Sequence, residues 1–214
     1  MNADAVLFDL DGVLVDSRIA FARSVNAVLA QHGVAERPDA ELHPYLGPPL
    51  HRTFAELVPD AGEDVVDGMV IAYRARYRAT MVAESTLFPG IAETLAALGD
   101  TMPLVVATSK AQALAEPLLE ALSVAACFTA IVGPSLQARD EAKSLTIARA
   151  LEGLPRTRRP VMVGDRKFDV LGARAHGMPC IGVLWGIGSE RELRDAGAAA
   201  LIEAPAELPR LLGA

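Results

Sequence analysis

Five short apolar runs, each closed by glycine, proline, aspartate or a short polar stretch, constrain this chain more than any other feature. They are DAVLFD (4–9), PLVVAT (103–108), FTAIVG (128–133), PVMVGD (160–165) and CIGVLW (180–185). Val- and Ile-rich runs of this length, without apolar–polar alternation, suit strands buried on both faces of a parallel sheet. Helical spacing fills the gaps between the last four, over 111–122, 141–153 and 167–177. Strand, helix, strand in repetition requires right-handed crossovers, so the pattern predicts a doubly wound α/β sheet. Helices expected near 90–99, 189–196 and 206–213 complete its layers.

Residues 17–87 break the alternation. Helical spacing covers 17–32 and 61–79, and five prolines (Pro38, Pro44, Pro48, Pro49 and Pro59) punctuate shorter helices between them. The interval shows no convincing strand and reads as a helical insertion. Its hinges are expected at Asp16-Ser17 and Phe88-Pro89-Gly90, where Pro and Gly interrupt the chain. The domain reading is therefore a core of 1–16 and 88–214 with a small helical cap at 17–87.

Composition narrows the partners. A formal charge of −7 argues against a binder of nucleic-acid backbones, and 5% aromatic content leaves little for stacking on single strands. No apolar run approaches the ~18 residues needed to span a bilayer, and the N-terminus lacks a basic segment followed by an apolar one. A cytoplasmic protein without a membrane partner is expected. Cys127 and Cys180 stand in apolar surroundings without CxxC spacing and read as core residues. The sequence leaves oligomeric state open.

Ligands of open α/β sheets bind beyond the carboxyl ends of the strands. The first run ends in Asp9, with Asp11 two residues on; the second ends in Thr108-Ser109; the fourth ends in Asp165, with Asp169 one helical turn later. Lys143 opens the helix before the fourth run. Each feature has an ordinary structural reading. Asp11-Gly12 between apolar residues suits a tight turn, and Thr108-Ser109 suits the cap of the helix starting near 111. Their convergence on one sheet edge favours chemistry instead. Clustered carboxylates suit a hard divalent cation, with Mg²⁺ as the expected cofactor, and a phosphate monoester as substrate. On that reading Asp9 attacks phosphorus and Asp11 is the general acid and then base. Thr108 and Ser109 hold phosphoryl oxygens, Lys143 offsets charge, and Asp9 and Asp165 ligate metal, with Asp169 as a ligand or a support behind one.

In these residues and their spacing the chain resembles the haloacid dehalogenase-like hydrolase superfamily. The carrying stretches are FDLDGVLVDS (8–17), VVATS (105–109), Lys143 in RDEAKSLTI and GDRKFD (164–169). The resemblance implies a Rossmann-like core, a helical cap, and metal ligation by the backbone carbonyl of Asp11. YLGPPLHRTF (45–54), GPSL (133–136) and GVLWGIGSEREL further resemble phosphoglycolate phosphatase-like and 5′-nucleotidase-like members. A small phosphorylated metabolite, such as a nucleoside 5′-monophosphate or phosphoglycolate, is then the expected substrate. In the cap, Tyr45, His51 and Arg52 are the expected substrate contacts beyond the phosphate. Asp11 sets dehalogenase activity aside, and the absence of lysine from 17–87 sets phosphonate hydrolysis aside. Two alternatives are β-phosphoglucomutase-like phosphoryl transfer, which shares DGVLVDS, and a non-enzymatic binding module.

Overall fold

The computed structural model describes residues 1–154 and 156–213. In chain order the first elements are β1 (Ala5–Phe8), β2 (Val15–Asp16), α1 (Arg18–Gln31), α2 (Asp39–Leu42), α3 (Leu50–Leu57), α4 (Glu63–Thr80) and β3 (Thr86–Leu87). Next come α5 (Ile91–Gly99), β4 (Leu104–Ala107), α6 (Gln112–Ala121), β5 (Ala130–Val132), α7 (Lys143–Glu152) and β6 (Pro160–Gly164). The chain ends with α8 (Lys167–Arg174), β7 (Cys180–Val183), α9 (Glu190–Ala196), β8 (Ala200–Ile202) and α10 (Glu207–Leu212).

Six parallel strands form one sheet in the order β5-β4-β1-β6-β7-β8. The period-2 pleat assigns alternate residues of each strand to opposite faces. Val6, Phe8, Leu104, Val106, Val161 and Val163 enter one apolar layer with α5, α6 and α10. Leu7, Val105, Ala107 and Met162 enter the other with α7, α8 and α9. Burial on both faces explains why the strands read as continuous apolar runs.

All five strands expected from the sequence form. A sixth, β8, was not anticipated: its three residues lie among alanines and carry too short an apolar signal to separate from a loop. A two-residue antiparallel ribbon, β2 with β3, was likewise missed. It pairs Val15 with Leu87 and Asp16 with Thr86, bringing the two ends of the helical segment together.

Helices α1–α4 occupy the whole interval between the two ribbon strands. Phe21, Phe54, Tyr73 and Tyr77 pack edge-on or stacked among them, with ring centroids 5.5–6.2 Å apart. Their apolar interior is continuous with the layer under β1. No helix of the described residues is long and apolar enough to cross a membrane.

Candidate active site

The central strand β1 delivers Asp9 to the sheet edge, where its N–H donates to the Val163 carbonyl at 2.9 Å. Immediately afterwards the chain turns. Gly12 adopts a left-handed φ of +82°, which disfavours residues with a Cβ, and its N–H donates to the Val15 carbonyl at 2.9 Å. The turn reading of Asp11-Gly12 is therefore realised. It also aims Asp11 back into the sheet edge, where Asp11 lines the same cavity as Asp9.

Three carboxylates gather there. Asp9, Asp165 and Asp169 each offer an oxygen within 4.8 Å of the others, and all three residues are buried. Lys143 answers two of them, its Nζ lying 2.8 Å from Asp9 Oδ1 and 2.7 Å from Asp169 Oδ1. Both contacts are ion pairs inside the buried cluster, so Lys143 brings a positive charge to two of its carboxylates. Burial pushes the lysine pKa down, but the Asp169 and Asp9 carboxylates outweigh it and hold the ammonium protonated well above its ordinary range. Asp165 has no such cation. Its Oδ2 accepts from the Ile187 N–H at 2.7 Å, while Oδ1 is buried without a hydrogen-bond partner among the described residues. Burial, then the Asp169 and Asp9 charges, push its pKa well above the usual carboxylate range. An orphaned buried carboxylate oxygen facing two more carboxylates is the donor set that a hard divalent cation completes. The residues fit such an ion.

Asp11 has a different partner. Its Oδ1 accepts from the Ser17 hydroxyl at 2.6 Å, and its Oδ2 lies 2.9 Å from Lys110 Nζ. Lys110 also donates to the Tyr77 hydroxyl at 2.7 Å and lies 4.3 Å from the centre of that ring. Tyr77 belongs to α4, so a core lysine links Asp11 to the helical insertion. The three lysines of the chain thus separate by partner: Lys143 to Asp9 and Asp169, Lys110 to Asp11, and Lys167 to neither group among the described residues.

Thr108 is buried at the end of β4, and Ser109 is exposed beside it; both line the cavity. Neither caps α6, which begins after Ala111 without a side-chain cap. Thr108 Oγ1 instead accepts the Lys110 N–H at 3.1 Å.

The cavity has a volume of about 230 Å³ and reaches from Asp9 and Thr108 to the insertion. Arg52 lines it, yet its side chain is 69% exposed and pairs with Glu56 at 2.8 Å. Tyr45 and His51 do not line it. Tyr45 packs against the apolar interior, and His51 Nε2 lies 3.3 Å from Asp67. Arg166, inside the GDRKFD stretch, crosses to the insertion: Nη1 donates to the Leu46 and Pro44 carbonyls at 3.0 and 3.3 Å, and Nε pairs with Glu192.

The sequence reading gave no site role to the loop after β7. Trp185 Nε1 donates to the Val13 carbonyl at 3.0 Å, Ile187 caps Asp165, and two glycines wrap that residue. A Cβ at Gly186 would lie 2.4 Å from Asp165 Cβ, and one at Gly188 1.9 Å from its carbonyl oxygen. The doubled glycine in WGIG was the available signal, since glycine marks close backbone approach.

Comparison with known proteins agrees with this geometry. The family model described as haloacid dehalogenase-like hydrolase matches residues 6–183. The 5′-nucleotidase of Pseudomonas aeruginosa is 40% identical over 194 residues, covering 88% of this chain and 86% of that protein. Tyrosine-protein kinase PtkA of Mycobacterium tuberculosis is 39% identical over 186 residues, covering 86% of this chain but only 62% of the kinase. A crystal structure of a predicted phosphatase from Clostridium acetobutylicum superposes with a TM-score of 0.91 at 34% identity, over 100% of both chains. The chain belongs to the haloacid dehalogenase-like hydrolase family.

Proposed function

We propose that this haloacid dehalogenase-like phosphatase hydrolyses a small phosphate monoester through a phosphorylated Asp9, with Mg²⁺ as its cation. The observation that carries the reading is the division of labour between the two first-strand aspartates. Asp9 faces a lysine and two further carboxylates, whereas Asp11 is held apart by Ser17 and Lys110. One carboxylate is set up to attack and the other to handle protons.

Asp9 Oδ1 is engaged by the Leu10 N–H at 2.8 Å and by Lys143, which leaves Oδ2 as the attacking oxygen. As the bond from Oδ2 to phosphorus forms, the ester P–O bond breaks, and Asp11 gives its proton to the departing alkoxide. Asp11, now ionised, takes a proton from water. That water attacks phosphorus, the acyl-phosphate bond to Asp9 breaks, and inorganic phosphate leaves. Thr108 and Ser109 orient the phosphoryl oxygens, and Lys143 offsets charge shared between Asp9 and the phosphoryl group. Asp9, Asp165 and the Asp11 carbonyl would hold Mg²⁺, with Asp169 supporting, and the ion would supply Lewis-acid stabilisation of phosphoryl charge.

Residues 17–87 act on this reading as a cap over a core of 1–16 and 88–214, excluding water until the acyl-phosphate forms. A nucleoside 5′-monophosphate or phosphoglycolate fits the expected size class. The 5′-nucleotidase relative supports the former. Arg52 is placed to contact substrate, whereas Tyr45 and His51 do not line the cavity and would reach it only if the segment around them shifted. Transfer of the phosphoryl group to an acceptor other than water is a second reading, favoured by the likeness to a kinase. On this reading the protein is a cytoplasmic metabolic enzyme acting on a free small molecule.

The test is turnover of para-nitrophenyl phosphate with Mg²⁺ and with excess EDTA, for wild type and Asp9→Asn. Turnover should need the cation and fall by at least about 10³-fold in the variant, with ³²P labelling of wild type only. Full turnover in EDTA, or a labelled Asp9→Asn protein, would overturn the reading. Phosphate released into water rather than onto an added alcohol separates hydrolysis from transfer.

A further inference from the structure

Five cationic side chains line the cavity, and four of them are neutralised. Lys143 faces Asp9 and Asp169, Lys110 faces Asp11, Arg52 pairs with Glu56, and Arg139 pairs with Asp67. Arg74, on α4, has no carboxylate partner among the described residues. Its one hydrogen bond runs from Nη1 to the backbone carbonyl of Leu136, on the core loop between β5 and α7. It is partly buried and lines the same cavity. Burial alone pushes its pKa down, with no opposing carboxylate, yet an arginine stays protonated throughout the working range.

An unpaired, half-buried guanidinium is expensive to keep unless something anionic visits it. On the phosphatase reading the phosphoryl group is already accounted for by Thr108, Ser109 and Lys143, which line the same cavity. With one N–H spent on Leu136, the guanidinium retains a fork of donors suited to two oxygens of a carboxylate or phosphate. We propose that Arg74 selects substrates carrying a second anionic group, a carboxylate or a second phosphate, on the alcohol side of the scissile bond. The proposal rests on the phosphatase reading and gives its substrate a chemical class. It also moves the selecting role from Arg52, which is exposed and already paired, to a residue the sequence did not single out.

The experiment compares kcat/KM for phosphoglycolate, a hexose bisphosphate and glycerol 1-phosphate in wild type, Arg74→Gln and Arg74→Lys, with Mg²⁺ present. Gln keeps part of the stem and an amide donor but ends short of the guanidinium and carries no charge. The comparison of doubly with singly anionic esters, and of Gln with the longer Lys, therefore separates anion recognition from bracing of the loop. Wild type should prefer at least one doubly anionic ester over glycerol 1-phosphate by about tenfold or more. In Arg74→Gln that preference should collapse by a similar factor, mainly through KM, and Arg74→Lys should retain part of it. The arm that collapses, carboxylate or bisphosphate, identifies the second anion. If wild type turns over para-nitrophenyl phosphate but shows no such preference, or if Arg74→Gln lowers all esters by one factor, Arg74 is a brace and the proposal fails. No turnover of any ester would defeat the phosphatase reading and this proposal together.

Discussion

Asp165→Asn distinguishes a carboxylate placed for a cation from one placed for the fold. Asp165 is 1% exposed, its Oδ1 is unpartnered, and its pKa is raised by burial and by Asp169 and Asp9. A folded-state pKa above the unfolded value means stability that is fully present below about pH 3.9 and lost as pH rises through the raised value. Without a cation, wild type is therefore destabilised at pH 8 by Asp165, which either ionises while buried or holds a proton that the unfolded chain would release. In Asp165→Asn the amide oxygen can still accept from Ile187, and the NH₂ occupies the place of Oδ1, facing the Asp9 and Asp169 oxygens as a donor. Relieving a buried unsatisfied group recovers roughly 1–3 kcal/mol. For a chain of this size each kcal/mol moves Tm by ~2–4 °C, so the variant should melt roughly 2–12 °C above wild type in EDTA at pH 8. The gap should narrow towards pH 4. Saturating Mg²⁺ should reverse the order, because wild type gains ~2.7 kcal/mol at one hundred times Kd and the variant gains little. Turnover should fall by orders of magnitude throughout. Calorimetry in EDTA and in Mg²⁺ reads both effects. A variant that melts below wild type in EDTA at pH 8, or that gains as much as wild type from Mg²⁺, would refute the reasoning.

Asp11→Asn should slow an alkyl phosphate at least about tenfold more than para-nitrophenyl phosphate, because a good leaving group needs less protonation; steady-state kinetics on both esters checks this, and equal losses would remove Asp11 as the acid. Lys143→Ala should cost more turnover than Lys110→Ala, since it leaves Asp9 and Asp169 facing each other without a cation; the reverse order in the same assay would place charge compensation at Asp11. Gly186→Ala should lower stability by about 1–3 kcal/mol and reduce turnover, because its Cβ would lie 2.6 Å from the Gly12 carbonyl, a backbone atom that cannot rotate away; urea melts and kinetics read the two losses, and an unaffected variant would show that the loop is not tightly seated.

The sheet was legible because its signal is redundant. Each central strand is buried on both faces, so Leu7, Val105 and Met162 face one layer while Val6, Leu104 and Val161 face the other, and no strand position needs a polar residue. Elements with little buried surface of their own carried no such signal. The ribbon of Val15-Asp16 with Thr86-Leu87 exists because the two ends of the helical insertion return to one place, a fact about closure that neither dipeptide records. Strand β8 forms because Ile181, Gly182 and Val183 offer an open edge to Ala200, Leu201 and Ile202. The cap side of the site was the least legible. A lone arginine looks alike in sequence whether it ends at Glu56, as Arg52 does, or without a carboxylate in a cavity, as Arg74 does.

Asp11-Gly12 shows why turn chemistry and catalytic chemistry need not compete for the same residues. The tight turn is real: Gly12 has its left-handed φ, and the Leu14 and Val15 N–H groups both return to the Leu10 carbonyl. That geometry reverses the chain directly after Asp9, so a side chain two residues on lies beside the strand end instead of continuing away from it. The same glycine meets a second demand, since a Cβ there would fall 2.2 Å from Asp165 Oδ2. Any other residue at position 12 would strain the turn and displace a carboxylate of the proposed cation site. The dipeptide is therefore fixed from two directions, by backbone conformation and by the approach of Asp165. The catalytic reading explains what the turn reading leaves open: why the residue before the glycine is held by Ser17 and Lys110 at the wall of a cavity rather than left in solvent.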